Sequence, residues 1–178
     1  MVGPEVPQPH PSRLTEFAGH PGVVGVSPGQ PELVALTAAS WARATGGALY
    51  FAYSDPSRYV VAENPDGTVR HAEVDPDTAD DSWLERQQQM EGFLHTVVDP
   101  SGVPWEFRYL AGRPDRALTH LARAVNAAVI IVGTRAPGVR ASVREFVDGS
   151  VAVQLAHHQH RPVLTVPLSV VDWKAPLA

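Results

Sequence analysis

Residues 127–167 read AAVIIVGTRAPGVRASVREFVDGSVAVQLAHHQHRPVLTVP, and this stretch decides the fold. It opens with the apolar, β-branched run VIIV at 129–132, which is typical of a strand buried on both faces. Gly133 ends the run, an arginine-bearing loop follows, and Gly-Ser at 149–150 leads into a helical pattern. A second apolar run, PVLTV, occupies 162–166. This order predicts a strand, a loop, a helix and a strand, with the two strands as parallel neighbours.

The loop between these strands is the first candidate for a binding site. Glycine lets backbone N–H groups approach phosphate oxygens closely, and the N-terminus of the following helix favours an anion. A guanidinium group forks onto two phosphate oxygens, and the loop carries Arg135, Arg140 and Arg144. The alternative interpretation is an ordinary helix N-terminus behind a loop with no ligand, because a lone glycine-rich loop is weak evidence.

A similar unit occupies the first half of the chain. Val23 to Val26 is apolar, the pattern from Pro31 to Thr45 is helical, and Gly46-Gly47 separates it from a strand at 49–53. Further helices are predicted at 82–98 and from Pro114, and a further strand at 105–110. Five strands alternating with four helices predict an α/β fold, with an open, mostly parallel sheet covered by helices on both faces.

Three segments depart from this alternation. Residues 58–74 predict a β-hairpin, because Asn-Pro-Asp-Gly at 64–67 supplies turn residues between two β-branched runs. The aspartates from Asp75 to Asp81 then read as an acidic linker, so that 58–81 is an insertion. Residues 1–22 predict a flexible, proline-rich arm, and 169–178 a C-terminal tail.

Three stretches of this chain resemble the universal stress protein family. They are VGVSPGQPELVALTAASWARATGGALYFAY, AGRPDRALTHLARAVNAAVIIVGTR and GSVAVQLAHHQHRPVLTVP, and the resemblance covers about residues 23–167 apart from the insertion. The family implies a five-stranded parallel sheet of order 3-2-1-4-5. It also implies a homodimer that pairs the last strands, here the run from Pro162 to Val166.

The resemblance also implies a nucleotide site. Many members bind ATP through glycine, two residues, glycine, nine residues and glycine-serine or glycine-threonine after strand four, with an aspartate closing strand one. Here Ala136 stands at the second glycine, Gly138 follows two residues later, and Ser27 replaces the aspartate. The chain therefore departs from the pattern twice. The candidate ligand residues, for ATP or a related nucleotide, are Ser27, Gly133, Arg135, Gly138, Gly149 and Ser150.

Composition limits the classes of function. A single domain is expected from 178 residues of which 44% are apolar, and a net charge of −5 argues against a nucleic-acid binder. No apolar run reaches 18 residues, so no membrane span is expected. Without cysteine, and without a secretory signal in the first twenty residues, we expect a cytoplasmic protein.

Two other chemistries compete with ligand binding. Gly25, Ser27 and Gly29 match the nucleophile elbow of α/β-hydrolases, but that fold needs strands before its serine, so a serine hydrolase is a distant alternative. His157, His158 and His160 could suggest a metal, although no carboxylate or cysteine nearby completes a ligand set. Cationic or polar residues at a helix C-terminus, which interact well with the helix dipole, explain them better, and no metal is predicted.

The aspartates of the linker offer a last alternative. They could hold a cation, but the segment lacks the glycine and distal glutamate of a calcium loop. We therefore expect a stress-response protein that acts by binding and is not an enzyme. Its alternative function is a stress-family interaction protein that binds no nucleotide.

Overall fold

The computed structural model describes residues 8–75, 82–134 and 151–168, and these contain seven strands, four α-helices and two short 3-10 helices, Pro11–Arg13 and Asp99–Ser101. The strands are β1 (Gly22–Gly25), β2 (Leu49–Asp55), β3 (Arg58–Glu63), β4 (Val69–Glu73), β5 (Trp105–Ala111), β6 (Val129–Gly133) and β7 (Val163–Val166). The helices are α1 (Leu33–Thr45), α2 (Ser82–Val98), α3 (Pro114–Ala124) and α4 (Val151–His158).

Five of these strands form one parallel sheet in the order β5-β2-β1-β6-β7. Counted along the main sheet alone, this is the order 3-2-1-4-5. The predicted fold class is therefore confirmed. The run VIIV occupies β6, between β1 and β7, where both faces of the strand are covered.

Two layers of helices cover the sheet because alternate strand residues point to opposite faces. Val24 and Ile131 pack in a cluster with residues of α1 and α2, whereas their neighbours Val23 and Ile130 pack with residues of α3 and α4. A strand whose every residue finds an apolar helix opposite it explains why the sequence shows continuous apolar runs without alternation.

The inserted hairpin is also confirmed, as a separate antiparallel pair of β3 and β4. Gly67 adopts φ +81° in its turn, and the Asp66 carboxylate accepts hydrogen bonds from the Thr68 N–H and hydroxyl groups at 3.0 and 2.7 Å. The turn lies against α3, where a Cβ atom on residue 67 would come within 2.6 Å of Leu121 Cδ1. Local turn chemistry and a close approach to α3 therefore both require glycine there.

The described part of the N-terminal arm differs from the prediction. Phe17 packs edge-on against Trp41 of α1 at 5.9 Å, and the Gly19 N–H donates to the Thr45 carbonyl at 2.9 Å. Strand β1 begins at Gly22, which the prediction assigned to the arm. These contacts come from residues more than twenty positions along the chain, so the composition of the arm could not indicate them.

The end of α4 separates the three histidines. Helix α4 ends at His158, so His160 lies in the connection to β7 and does not share a helix face with His157. Within the described ranges, no helix is long and apolar enough to cross a membrane.

Candidate functional site

The candidate site lies where the carboxyl ends of β1 and β6 meet. Gly25 is paired with Val132, so Gly133, the last residue of β6, and Ser27, two residues after β1, lie at the same edge of the sheet. The chain leaves β1 for α1 on one face, and α4, which follows β6, covers the other face. Because the connections that follow β1 and β6 run to opposite faces of the sheet, a crevice is expected between the carboxyl ends of these two strands. Open α/β sheets bind ligands at such a point.

Gln30 joins these two predicted residues. Its Oε1 atom accepts a hydrogen bond from the Ser27 N–H at 3.3 Å. A Cβ atom on residue 133 would lie 2.7 Å from Gln30 Nε2 and 2.9 Å from Val34 Cγ2. Glycine at 133 therefore lets the Gln30 side chain lie against the end of β6, while Ser27 stays exposed at the crevice.

Thr134 holds the beginning of the loop in place. Its N–H donates to the Val166 carbonyl at 2.8 Å, and its hydroxyl oxygen accepts from the Leu168 N–H at 2.8 Å. The end of β6 is thus attached to the residues that end and follow β7. The loop therefore leaves the sheet from a defined point beside the crevice.

The other predicted site residues lie outside the described residues. These are Arg135, Gly138, Gly149 and Ser150, together with Ala136, Arg140 and Arg144. Helix α4 begins at Val151, directly after Gly149-Ser150 in the sequence. The structure therefore brings Ser27 and Gly133 together, and the contribution of the loop itself stays a prediction. The acidic residues 76–81 and the tail from 169 also lie outside the described ranges.

The three histidines lie far from Ser27. His160 lines a cavity with Ala128 and Pro162, which precede β6 and β7, whereas Ser27 follows the carboxyl end of β1. The sheet, at about 3.3 Å per residue, separates these ends. None of the three imidazoles is placed to activate the Ser27 hydroxyl, so the geometry does not support a serine hydrolase that uses them.

The same histidines do not assemble a metal site within the described ranges, where no group of three histidine or carboxylate side chains is placed to hold an ion. His158 instead hydrogen-bonds the Gln154 carbonyl at 2.9 Å. This is the interaction expected of a polar side chain in the last turn of a helix.

A buried polar cluster that sequence analysis missed lies beyond the carboxyl end of β2. Both carboxylate oxygens of Asp55 are engaged, and its side chain is only 3% exposed. Oδ2 accepts from the Tyr109 hydroxyl at 2.7 Å and from the Arg86 guanidinium at 2.8 Å. Oδ1 accepts from the N–H and hydroxyl of Ser57 at 2.9 and 2.6 Å. The carboxylate therefore connects β2, β5, α2 and the start of the hairpin.

Electrostatics in this cluster favour the charged carboxylate. Burial by itself raises the pKa of Asp55, but the hydrogen bonds from Ser57 and Tyr109 and the charge of Arg86 outweigh it, and the pKa lies below its ordinary value. Burial and the bond to Asp55 raise the pKa of Tyr109 well above its ordinary value. A carboxylate that is ionised at neutral pH and accepts hydrogen bonds at both oxygens is suited to holding segments together, not to proton transfer.

The hairpin adds a second layer to this cluster. The Arg58 guanidinium donates to His71 Nδ1 at 2.7 Å and to the Glu73 carboxylate at 2.9 Å, and lies 5.3 Å from the centre of the Trp83 ring. Burial and the charge of Arg58 lower the pKa of His71. The hairpin is thereby attached to α2 by charge and aromatic contacts. A strand ending in Ser-Asp was the only sequence signal for any of this.

Comparisons with known proteins agree on the family and the fold. The model of the universal stress protein family matches residues 23–167. A universal stress protein from Archaeoglobus fulgidus, solved in complex with dAMP, is 21% identical with a TM-score of 0.57, and the match covers 83% of this chain and 97% of that one. A universal stress protein solved in complex with cAMP is 22% identical with a TM-score of 0.55, covering 85% and 99%.

A third solved structure extends the comparison to another organism. It is a protein of the same family from Burkholderia pseudomallei, 20% identical with a TM-score of 0.57, and the match covers 83% of this chain and 95% of that one. At such identities the likeness establishes the fold. A search of the curated proteins gave no significant match.

Proposed function

Because this chain belongs to the universal stress protein family, we propose that it is a homodimeric stress-response protein that binds a nucleotide or another phosphate-bearing small molecule. It acts through binding and is not an enzyme. The carrying observation is that β1 and β6 end side by side, with Ser27 just beyond the end of β1 and Gly133 at the end of β6. Two relatives of the same fold were solved with adenine nucleotides, dAMP and cAMP, which supports this class of ligand.

Several features make this crevice suitable for such a ligand. Ser27 is exposed and offers a hydroxyl group, and the Gln30 side chain adds an amide beside it. The loop that follows Thr134 carries arginines and glycines, which suit phosphate. A cytoplasmic location is part of the proposal, in keeping with a chain that has no cysteine.

We expect Ser27→Trp to weaken the binding of ATP or AMP about tenfold or more, because an indole ring would fill the crevice. The measurement is calorimetric titration of wild type and variant at up to millimolar nucleotide. Gly149→Trp should have the same effect if the loop contributes to the site. The matched control is Ser40→Trp, which places the same ring on an exposed position of α1 and should leave affinity unchanged.

Two outcomes would contradict the nucleotide proposal. One is the absence of heat from the wild-type protein at millimolar ATP and AMP. The other is binding that Ser27→Trp and Ser40→Trp affect equally. The first result favours the alternative, a stress-family interaction protein that binds no nucleotide, and the exposed strand β3 of the inserted hairpin is then the first surface to test for a partner. The second result would place nucleotide binding away from Ser27.

The dimer proposal rests on the edge of the sheet. Strand β7 is last in the sheet and pairs only with β6 among the described residues. Its Leu164 and Thr165 side chains are exposed. An edge strand with unpaired backbone groups invites pairing, and pairing with its twin across a two-fold axis satisfies both copies.

We expect Thr165→Pro to shift the protein from dimer to monomer. The carbonyls of Pro162 and Val166 accept from β6, so the alternation of a strand directs the N–H of Thr165 to the open edge. Proline removes that donor without removing a bond to β6. Thr165→Val keeps the N–H and should remain dimeric. The measurement is mass by light scattering at micromolar protein, and a monomeric wild type would refute the pairing.

A further inference from the structure

A cationic cavity lies at the end of the sheet opposite the proposed nucleotide site. It is an open concavity of about 740 Å³, lined by the described part of the N-terminal arm, by α3 and the last turn of α4, and by the connection before β7. A smaller cavity of about 180 Å³ adjoins it and reaches Ala128 and Pro162, at the amino ends of β6 and β7. We call the larger one the arm cavity.

The charged side chains of the arm cavity are all basic. Its lining includes Arg13, Arg123, Arg161, His157, His158 and His160, and among the described lining residues there is no carboxylate. The three arginines come from the arm, from α3 and from the connection before β7. A protein with a net charge of −5 therefore gathers three guanidinium groups from distant parts of the sequence around one hollow.

These cations lower one another's proton affinity. Burial lowers the pKa of His160, and the charges of the three arginines lower it further. Burial and the charge of Arg123 also lower the pKa of Arg161. An anion placed between cations that repel one another in this way is favourable, because its charge offsets their repulsion.

The hollow is partly organised before any ligand arrives. The Arg161 Nε–H donates to the Ala127 carbonyl at 2.7 Å, and the Gln159 side chain accepts from the Arg161 N–H at 2.7 Å. These bonds hold the guanidinium near the amino end of β6 and leave its terminal N–H groups available for a further acceptor. The negative ends of α3 and α4 lie close by, but each carries only about half an elementary charge, less than the arginines contribute together.

From this geometry we infer that the arm cavity binds a small anion with at least two linked phosphate groups. A di- or triphosphate carries enough negative charge to match three arginines, and bidentate guanidinium contacts suit its oxygens. The volume lies in the range of small-molecule sites, about 300–1,000 Å³. A concave hollow with its cations on the wall fits a compact anion better than it fits a nucleic-acid strand, which needs a longer positive track.

The test uses inorganic tripolyphosphate as the probe, with the full-length protein in low-salt buffer at neutral pH. Calorimetric titration should detect binding, and Arg123→Gln should weaken it about tenfold, the effect of one lost charge-assisted contact. The matched control is Arg116→Gln, which removes the same charge from an exposed position two turns earlier on α3 and should have little effect.

A second measurement follows the His160 imidazole by NMR. Saturating tripolyphosphate should raise the pKa of His160, because the anion offsets the arginines that depress it. Ser27→Trp should retain tripolyphosphate binding, which separates this site from the proposed nucleotide site. The inference is wrong if the wild type does not bind at millimolar tripolyphosphate, if Arg123→Gln and Arg116→Gln bind alike, or if a single-stranded oligonucleotide binds and tripolyphosphate does not.

Discussion

Asp55→Ala is expected to lower the free energy of unfolding by about 3 kcal/mol or more. The side chain is 3% exposed and accepts from Tyr109, Arg86 and Ser57, so its loss leaves buried donors without an acceptor. Removing one partner of a buried ion pair costs about 3–5 kcal/mol, and Asp55→Ala belongs at the lower end of that range because Arg86 is 33% exposed and keeps part of its hydration, while the Tyr109 and Ser57 donors lose their acceptor. Urea unfolding curves with a common slope give the difference directly.

Two further variants provide comparisons for the loss of stability expected of Asp55→Ala. Tyr109→Phe removes one hydroxyl donor and should cost about 1–1.5 kcal/mol, since Arg86 and Ser57 still satisfy the carboxylate. Asp66→Ala removes an exposed aspartate whose carboxylate accepts hydrogen bonds from Thr68 in the hairpin turn, and should cost clearly less than Asp55→Ala because water replaces the lost bonds. If Asp55→Ala and Asp66→Ala lower the free energy of unfolding equally, the buried cluster stabilises the fold no more than an exposed turn does.

The same cluster makes stability depend on pH, with a definite sign. The folded pKa of Asp55 lies below its unfolded value of about 3.9, so the stabilisation is present above that value and is lost as pH falls through the folded pKa. The folded pKa of His71 is also depressed. Its unfolded form binds a proton first, so stability begins to fall as pH drops below about 6.5.

Acid therefore removes stability in two stages. The wild type should lose some below about pH 6.5 through His71 and His160, whose folded pKa values are both lowered, and more below about pH 4 through Asp55. In Asp55→Ala the second stage should shrink while the first remains. If Asp55→Ala loses as much stability below about pH 4 as the wild type does, the assignment of the second stage to Asp55 is wrong.

Phe51→Ala is expected to have the largest effect on stability, about 4 kcal/mol. Phe51 is fully buried in β2, within the cluster that joins α1 and α2 to the sheet, and meets Trp105 edge-on at 5.9 Å. Truncation removes apolar contacts on all sides and leaves a cavity that the rigid strands on either side cannot close.

The matched control for this prediction is Phe93→Ala on α2. That ring is 39% exposed, so its loss should cost about 1 kcal/mol. Phe51→Leu, which keeps most of the volume, should fall between the two. Chemical denaturation measures all three. Similar denaturation midpoints for Phe51→Ala and Phe93→Ala would contradict the prediction that Phe51 is central to the core.

Part of the candidate site could be read from the sequence. Ser27 and Gly133 were predicted because each follows a short apolar run, and parallel strands bring their carboxyl ends to one edge. Gln30 was missed because nothing in the turn after β1 distinguishes a glutamine that lies on a distant glycine. The Asp55 cluster was missed for the same reason, since its partners come from β5 and α2, more than thirty positions away.

By itself, the sequence determined the elements of this protein and their order. Apolar runs as short as VIIV predict buried strands, and Asn-Pro-Asp-Gly predicts a hairpin, because strand burial and turn geometry depend on neighbouring residues. Only the tertiary structure decided where the hairpin and the arm pack. It also decided which distant side chains come together, as Arg13, Arg123 and Arg161 do in the lining of one cavity. Contacts between remote segments depend on how helices and strands pack in three dimensions, and a local pattern of residues does not indicate which remote side chains will meet.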